Sequence, residues 1–361
     1  MDAPAIGLAD VEAAAVRLAG QVVRTPLVRL PGGRRGPQRR DRSVVADEAP
    51  GGLRGASAGP SDARGAPSGA GHLWLKAESL QEVGSFKARG ALNRLLTLVE
   101  SRGGERPPGV VAHSSGNHAQ AVAWAARQLG IVATVVMPDD APPRKRAATE
   151  AWGAEVVVVG PDSAERAERC AALADERGWP VVEPYDDPAV MAGAGTVGLE
   201  ILDDLAEVDA VLVPVSGGGL LSGVTAAVKA RRPDVTVIGV QPALADHARR
   251  SLDAHERLAI PAEQASSTIA DGLRVRRLGA HPWSVIRGLV DRVVTVSDDE
   301  ILVAVGLIAR DARLVAEPSG AVTTAAWWFH RDELGLPDDA VVVAVMSGGN
   351  VEPKLLATTL R

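Results

Sequence analysis

Six short aliphatic runs, separated by segments of helical periodicity, constrain the fold of this chain more than any other feature. They are Val110-Val111-Ala112, Ala133-Thr134-Val135-Val136, Val156-Val157-Val158-Val159, Ala210-Val211-Leu212-Val213-Pro214-Val215, Val237-Ile238-Gly239-Val240 and Val341-Val342-Val343-Ala344-Val345. Each is too short for a helix and apolar on consecutive positions, the pattern of a strand buried on both faces. Between them, Gln120 to Leu129 and Leu221 to Arg231 carry helical spacing, and Gly130 suits a helix C-cap. Strands alternating with helices predict an α/β protein whose mostly parallel sheets are covered on both sides. No fixed-period repeat interrupts the pattern.

The length of 361 residues allows about two domains. One cysteine, Cys170, cannot form an intramolecular disulfide, which fits a reducing, cytoplasmic setting. There is no N-terminal secretory pattern and no run of about 18 apolar residues, so no membrane partner is expected. A net charge of −6 gives no reason to expect nucleic acid. Residues 34–71 stand apart, rich in Gly, Pro, Arg, Ala and Ser and without an aromatic residue. Such a segment buries too little apolar surface to offset ordering entropy, so it reads as a disordered surface insertion.

Four small-residue segments carry the chemistry. Gly84-Ser85-Phe86-Lys87 sets an amine beside a tight turn. Ser114-Ser115-Gly116-Asn117-His118 follows a strand and opens a helix, so hydroxyls, a carboxamide and free N–H groups meet where a carboxylate can bind. Ser216-Gly217-Gly218-Gly219-Leu220 likewise joins a strand to a helix. Three successive glycines let backbone N–H groups approach an anion closely, so this segment reads as a phosphate cradle. Ser347-Gly348-Gly349-Asn350 forms a fourth polar turn. A reactive lysine, a phosphate cradle and polar turns are what a pyridoxal phosphate enzyme requires.

Rival motifs lack their context. Gly193-Ala194-Gly195-Thr196-Val197-Gly198 matches a dinucleotide fingerprint, but Pro184 to Pro188 before it reads as a turn, not a strand. No Gly-x-Ser-x-Gly elbow supports a serine hydrolase at His113 or His118. The seven histidines show no close ligand spacing, and no metal site is expected.

Taken in order, the motifs resemble those of the pyridoxal-phosphate-dependent serine/threonine dehydratase and serine racemase family, fold type II, tryptophan synthase β-like. The matching segments are Lys76 to Gln81, Gly84 to Ala91, His113 to Gln120, Asp187-Pro188 with Gly193 to Glu200, Ser216 to Leu220, Ile269 to Gly272, Glu317 to Ala321 and Ser347 to Asn350. The resemblance spans nearly the whole chain except 34–71. It implies two three-layer αβα domains with mostly parallel sheets: a large cofactor-binding domain from 1–107 and 187–361, and a small one from 108–186. It implies that Lys87 holds the cofactor as a Schiff base and later acts as the Cα base. Phe86 would pack on the ring, Asn117 would bind its 3′-oxygen, Ser216, Gly217, Gly218, Gly219 and Leu220 would hold the phosphate, and Ser347 would meet the pyridine nitrogen. Ser114, Ser115, Gly116 and His118 would bind the substrate, with Ser115 a second acid/base on the opposite face. The implied partner is a small hydroxy amino acid, and the implied assembly a homodimer.

The implied reaction converts L-serine or L-threonine to a 2-oxo acid and ammonia. An amino-acid racemase, a 3-hydroxyaspartate-type dehydratase, a β-replacement synthase and a non-catalytic cofactor-binding protein remain as alternatives. Racemase-type members carry two carboxylates for a divalent cation where this chain has Gln241 and His247. Neutral Gln241 is a poor ligand for a hard cation.

Overall fold

A computed structural model describes residues 4–31, 72–160 and 163–360; the expected insertion 34–71 lies outside the described residues. Among the described residues, nine strands form two sheets: β1 (Leu27–Arg29), β2 (His72–Ala77), β3 (Gly109–His113), β4 (Val132–Pro138), β5 (Glu155–Val159), β6 (Ala210–Pro214), β7 (Thr236–Pro242), β8 (Arg292–Val296) and β9 (Val341–Met346). The larger sheet runs β1-β2-β9-β6-β7-β8, the smaller β3-β4-β5. Of these strand pairs, only β1–β2 is antiparallel. The protein is therefore a mixed α/β fold built on parallel sheets, as the alternation of aliphatic runs and helices predicts.

The helices that position the site are α1 (Leu8–Leu18), α2 (Lys87–Ser101), α3 (Asn117–Leu129), α4 (Pro143–Ala151), α5 (Ser163–Arg177), α6 (Pro188–Asp204) and α7 (Gly219–Arg231). Residue parity shows why the strands are apolar throughout. Val211, Val213, Val343 and Val345 pack with Val197, Ile201, Leu221 and Val224 of α6 and α7. Their alternates Leu212, Val342, Ala344 and Met346 pack on the other face with Val322, Ala325 and Trp327. The smaller sheet repeats this, with Val110, Ala112, Val135 and Met137 toward α2 and α3. Val111 and Val136 face Cys170 and Leu173 of α5. A strand whose two faces both meet helices leaves room for a polar residue only where a partner is built in, as for Thr134 of β4 with Glu155 and Gln241 of β7 with the N–H groups of Ala248 and Arg249.

The glycines of the false dinucleotide motif have a different task. They lie inside α6, where eleven residues from Val190 to Ile201 are buried. A Cβ on Gly193 would come 2.6 Å from the Arg89 carbonyl oxygen of α2, and one on Gly195 would come 2.7 Å from the Gly223 carbonyl oxygen of α7. A Cβ on Gly198 would come 3.0 Å from the Val224 carbonyl oxygen. Backbone thus meets backbone at both crossings, and α6 fixes α2 and α7 relative to each other.

Candidate active site

Lys87 opens α2 at the carboxyl end of the large sheet. The turn before it bends at Gly84, φ +69°, where a Cβ would lie 2.6 Å from Asn350 Oδ1. The turn is tied to the segment after β9 by Phe86 N–H to the Ser347 carbonyl (3.0 Å) and Gly349 N–H to the Gly84 carbonyl (2.9 Å). Lys87 Nζ donates to the Pro184 carbonyl at 2.5 Å and lies 5.1 Å from the Phe86 ring centroid. Burial pushes this amine down to about 8. A lysine of that kind is substantially more nucleophilic at neutral pH than a solvated one.

A cavity of about 470 Å³ opens beside the amine, within the usual range for small-molecule sites. Its lining includes Phe86, Lys87, Ser114 to His118, Ser216 to Leu220 and Ser347. Every residue expected to bind cofactor or substrate therefore borders one space.

The glycine run is shaped as an anion cradle. Gly218 sits at φ +98°, and a Cβ on Gly219 would lie 3.0 Å from Tyr185 Cβ. The first bond of α7 is Ser222 N–H to the Gly218 carbonyl at 2.8 Å. The N–H groups before it have no intrahelical acceptor and stand at the positive end of the helix dipole. Ser216 Oγ is buried with no hydrogen-bond partner among the described residues.

The α3 terminus differs from expectation in one respect. Gly116 is its N-cap, and no side chain caps it. Ser114 Oγ accepts from Gly116 N–H at 3.1 Å, whereas Ser115 is exposed. His118 Nε2 bonds the Val182 carbonyl at 2.9 Å. Burial, then the neighbouring Lys87, pushes its pKa down to about 3. The imidazole is neutral, with Nε2 carrying the proton, so it brings no positive charge to a carboxylate. The backbone N–H groups of Asn117 and His118 remain suited to that role.

Three charged residues at the site were not singled out individually from the sequence. Lys145 of α4 forms an ion pair with Asp271 and lies 3.6 Å from Glu317 Oε2. Glu317 Oε1 accepts from Asn117 Nδ2 at 2.5 Å, and Asn117 Oδ1 accepts from Asn350 Nδ2 at 2.9 Å. Glu317 precedes Pro318 as a helix N-cap, a start signal that says nothing of burial. Lys145 stands in Pro143-Arg144-Lys145-Arg146, which looks like a solvated charge run. Only the tertiary fold brings them together.

Gln241 and His247 are committed elsewhere. Gln241 Oε1 accepts from the N–H groups of Ala248 and Arg249, each at 3.0 Å. His247 Nε2 bonds the Ser216 carbonyl at 2.8 Å, bracing the cradle.

A family model described as pyridoxal-phosphate dependent enzyme matches residues 60–348. The chain belongs to the pyridoxal-phosphate-dependent enzymes. It is 40% identical over 282 residues to the catabolic L-threonine dehydratase TdcB of Staphylococcus aureus (strain USA300), spanning 78% of this chain and 80% of that protein. Among solved structures, a T.th. threonine deaminase superposes with a TM-score of 0.79 at 39% identity, covering 96% of this chain and 99% of that one. Maize serine racemase superposes at 0.81 with 30% identity, covering 99% and 97%. The residues present fit the family's cofactor: the unpartnered Ser216 hydroxyl and the side-chain-free cradle suit a phosphate, and the buried Lys87 amine suits its aldehyde. No helix among the described residues is long and apolar enough to cross a membrane.

Proposed function

We propose that the protein is an ammonia-lyase that converts L-serine and L-threonine to 2-oxo acid and ammonia. The observation that carries this reading is one cavity holding the depressed Lys87 amine, the three-glycine cradle and the open α3 terminus. The threonine dehydratase and threonine deaminase named among its relatives support the same reaction. Pyridoxal phosphate, when bound, supplies the electron-withdrawing ring that lets an amino acid Cα–H bond ionise. Lys87 would hold the cofactor's aldehyde carbon and, once freed, would take the Cα proton on Nζ. Phe86 would pack on the ring, and Asn117 would donate to its 3′-oxygen. Ser216 to Leu220 would bind its phosphate through the backbone and the Ser216 hydroxyl. Ser347 would present a neutral hydroxyl to the pyridine nitrogen, an environment that favours elimination over transamination. Ser114, Ser115 and the first N–H groups of α3 orient the substrate carboxylate. Loss of the β-hydroxyl as water, followed by hydrolysis, gives pyruvate from serine and 2-oxobutanoate from threonine.

The two sheets support a division into a large lobe, 1–107 with 187–361, and a small lobe, 108–186. A homodimer in the cytoplasm completes the reading. One observation favours a second substrate class: Arg166, Arg274, Arg276 and Arg277 border the cavity, which suits an acidic side chain such as that of 3-hydroxyaspartate.

The test is 2-oxo acid release from L-serine, L-threonine, D-serine and 3-hydroxyaspartate, combined with borohydride reduction and peptide mapping. We expect turnover of L-serine and L-threonine and a cofactor adduct on Lys87. Lys87→Ala should abolish both signals. Label on another lysine, or undiminished turnover in Lys87→Ala, would overturn the assignment.

A further inference from the structure

We propose that Lys145 and Glu317 are positioning residues that lock the side-chain amide of Asn117 in one orientation, aiming its second N–H at the ring oxygen of the bound cofactor. This rests on the reading of the cavity as the pyridoxal phosphate site.

An asparagine amide has two donor hydrogens and one acceptor oxygen, and it can turn over unless both ends are held. Here both are. Glu317 Oε1 accepts one N–H of Asn117 at 2.5 Å. Asn350 Nδ2 donates to Asn117 Oδ1 at 2.9 Å and to the Val83 carbonyl at 2.8 Å, so Asn350 is itself anchored. One N–H of Asn117 is left over, on a residue that borders the cavity. It suits an anionic oxygen, because a hydrogen bond to a charged acceptor is stronger than one to a neutral acceptor.

The lock is strict only while Glu317 is ionised, because a carboxylate can only accept, whereas a protonated carboxyl can either accept or donate. Its side chain is 2% exposed and that of Lys145 is 7% exposed. Burial pushes the Glu317 carboxyl up and Asp271 adds to this, while the Lys145 ammonium and the Asn117 amide pull it back; the net shift is upward, so the charge rests on Lys145 beside it. The facing charges are therefore Lys145 and Asp271, with Lys87 bordering the same cavity. Lys145 is the cation in direct reach of the carboxylate. Space is kept for this arrangement. The Lys145 stem runs past Gly116, where a Cβ would stand 3.3 Å from Lys145 Cδ. A side chain on Gly348 would overlap Glu317 Oε1. Without Lys145, a carboxyl buried beside Asp271 takes up a proton and gains a donor beside its acceptor oxygen. When the O–H turns toward Asn117 it competes with Asn350 for Asn117 Oδ1, so the amide acquires two orientations.

The experiment compares holoenzyme spectra of the wild type, Lys145→Met and Lys145→Arg across pH, with thermal melts of each. Losing a donor to the ring oxygen makes that oxygen more basic. In Lys145→Met the ratio of the near-ultraviolet to the visible cofactor band should therefore rise at fixed pH, by up to about tenfold, the effect of losing one hydrogen bond completely. Lys145→Arg keeps the charge and should restore the wild-type ratio. An unchanged ratio in folded Lys145→Met would overturn the relay. If Lys145→Met does not fold, Glu317→Gln decides: its amide can present either end, so the band ratio should shift, and a wild-type spectrum would refute the proposal. A wild type without any visible cofactor band would instead refute the functional reading on which the relay rests.

Discussion

Gly195→Ala tests whether the close crossing of α6 and α7 sets the geometry of the cradle. The new methyl would lie 2.7 Å from the Gly223 carbonyl oxygen and 2.9 Å from Val11 Cγ2. Val11 can turn aside, but the carbonyl belongs to a helix backbone. Restoring a carbon–oxygen contact of about 3.3 Å requires the helices to part by roughly 0.6 Å. Overpacking of this kind costs about 1–3 kcal/mol. Alanine also gains about 1 kcal/mol of helix propensity over glycine, which partly offsets the clash. Gly288→Ala isolates that gain, since nothing lies within 4 Å of a Cβ there. We expect Gly288→Ala to be neutral or slightly stabilising and Gly195→Ala to lose up to about 2 kcal/mol. With a urea slope of about 3 kcal/mol/M, the midpoint should fall by up to about 0.7 M. Because Gly223 lies one helical turn beyond Gly219, the displacement reaches the cradle, and cofactor affinity should fall by about tenfold. Urea melts and equilibrium cofactor titrations measure the two effects. A Gly195→Ala protein as stable as Gly288→Ala, with unchanged cofactor affinity, would show that the crossing tolerates a side chain and that α6 does not set the cradle.

Three further outcomes are expected. The rate at which pyridoxal phosphate is captured by Lys87 in the cofactor-free protein should climb with pH and level near 8, since burial brings the amine down from 10.5 to about 8; levelling near 10.5 would indicate an ordinary solvated lysine. The sign for stability follows: the unfolded chain holds this proton up to a higher pH, so the cofactor-free protein should gain stability as pH rises from 8 through 10.5, which pH-dependent urea melts would detect. Ser115 borders the cavity and is not a helix cap, so Ser115→Ala should suppress conversion of L-serine to D-serine far more than 2-oxo acid release, for which Ser114 and the α3 N–H groups still hold the carboxylate; equal loss of both activities in a chiral assay would defeat a second acid/base at that position.

What the sequence disclosed followed from burial. β3, β4, β6, β7 and β9 meet helices on both faces, so each carries an uninterrupted aliphatic run. The strands that escaped notice have mixed composition. β2 contains Trp74 and the buried Lys76, β8 is an edge strand beginning at Arg292, and β1 is a three-residue antiparallel edge. α6 was hidden by its glycines, which lower helix propensity but are required where carbonyls of α2 and α7 touch it. In the site, the lysine turn and the glycine cradle were legible because local backbone geometry demands those residues. Lys145, Asp271 and Glu317 come from three distant segments; Asp271 and Glu317 stand in segments that match family motifs, but nothing near Lys145 marks it, and only the tertiary fold shows that the three meet.

The charges buried beneath α2 explain how the helix is turned so that Lys87 meets the cavity. Arg89 is fully buried and donates to Glu78 at 2.8 Å through both Nε and Nη2, and to Glu200 at 2.6 and 2.9 Å. Lys76 adds a second cation, 2.6 Å from Glu200 and 2.6 Å from the Thr25 carbonyl. The formal charges of Lys76 and Arg89 balance those of Glu78 and Glu200. Such a cluster is weak evidence for stability, since apolar side chains of similar volume often serve as well. Its value here is directional. Arg89 lies two residues after Lys87, hence about 200° around the helix, on nearly the opposite side. Binding Arg89 to partners on the turn after β2 and on α6 leaves α2 one rotation about its axis. In that rotation the face carrying Arg89 looks into the protein and the face carrying Lys87 looks into the cavity. A methionine in place of Arg89 would fill the volume without choosing the rotation, which is the distinction the five directed bonds supply to Glu78, Glu200 and Thr196.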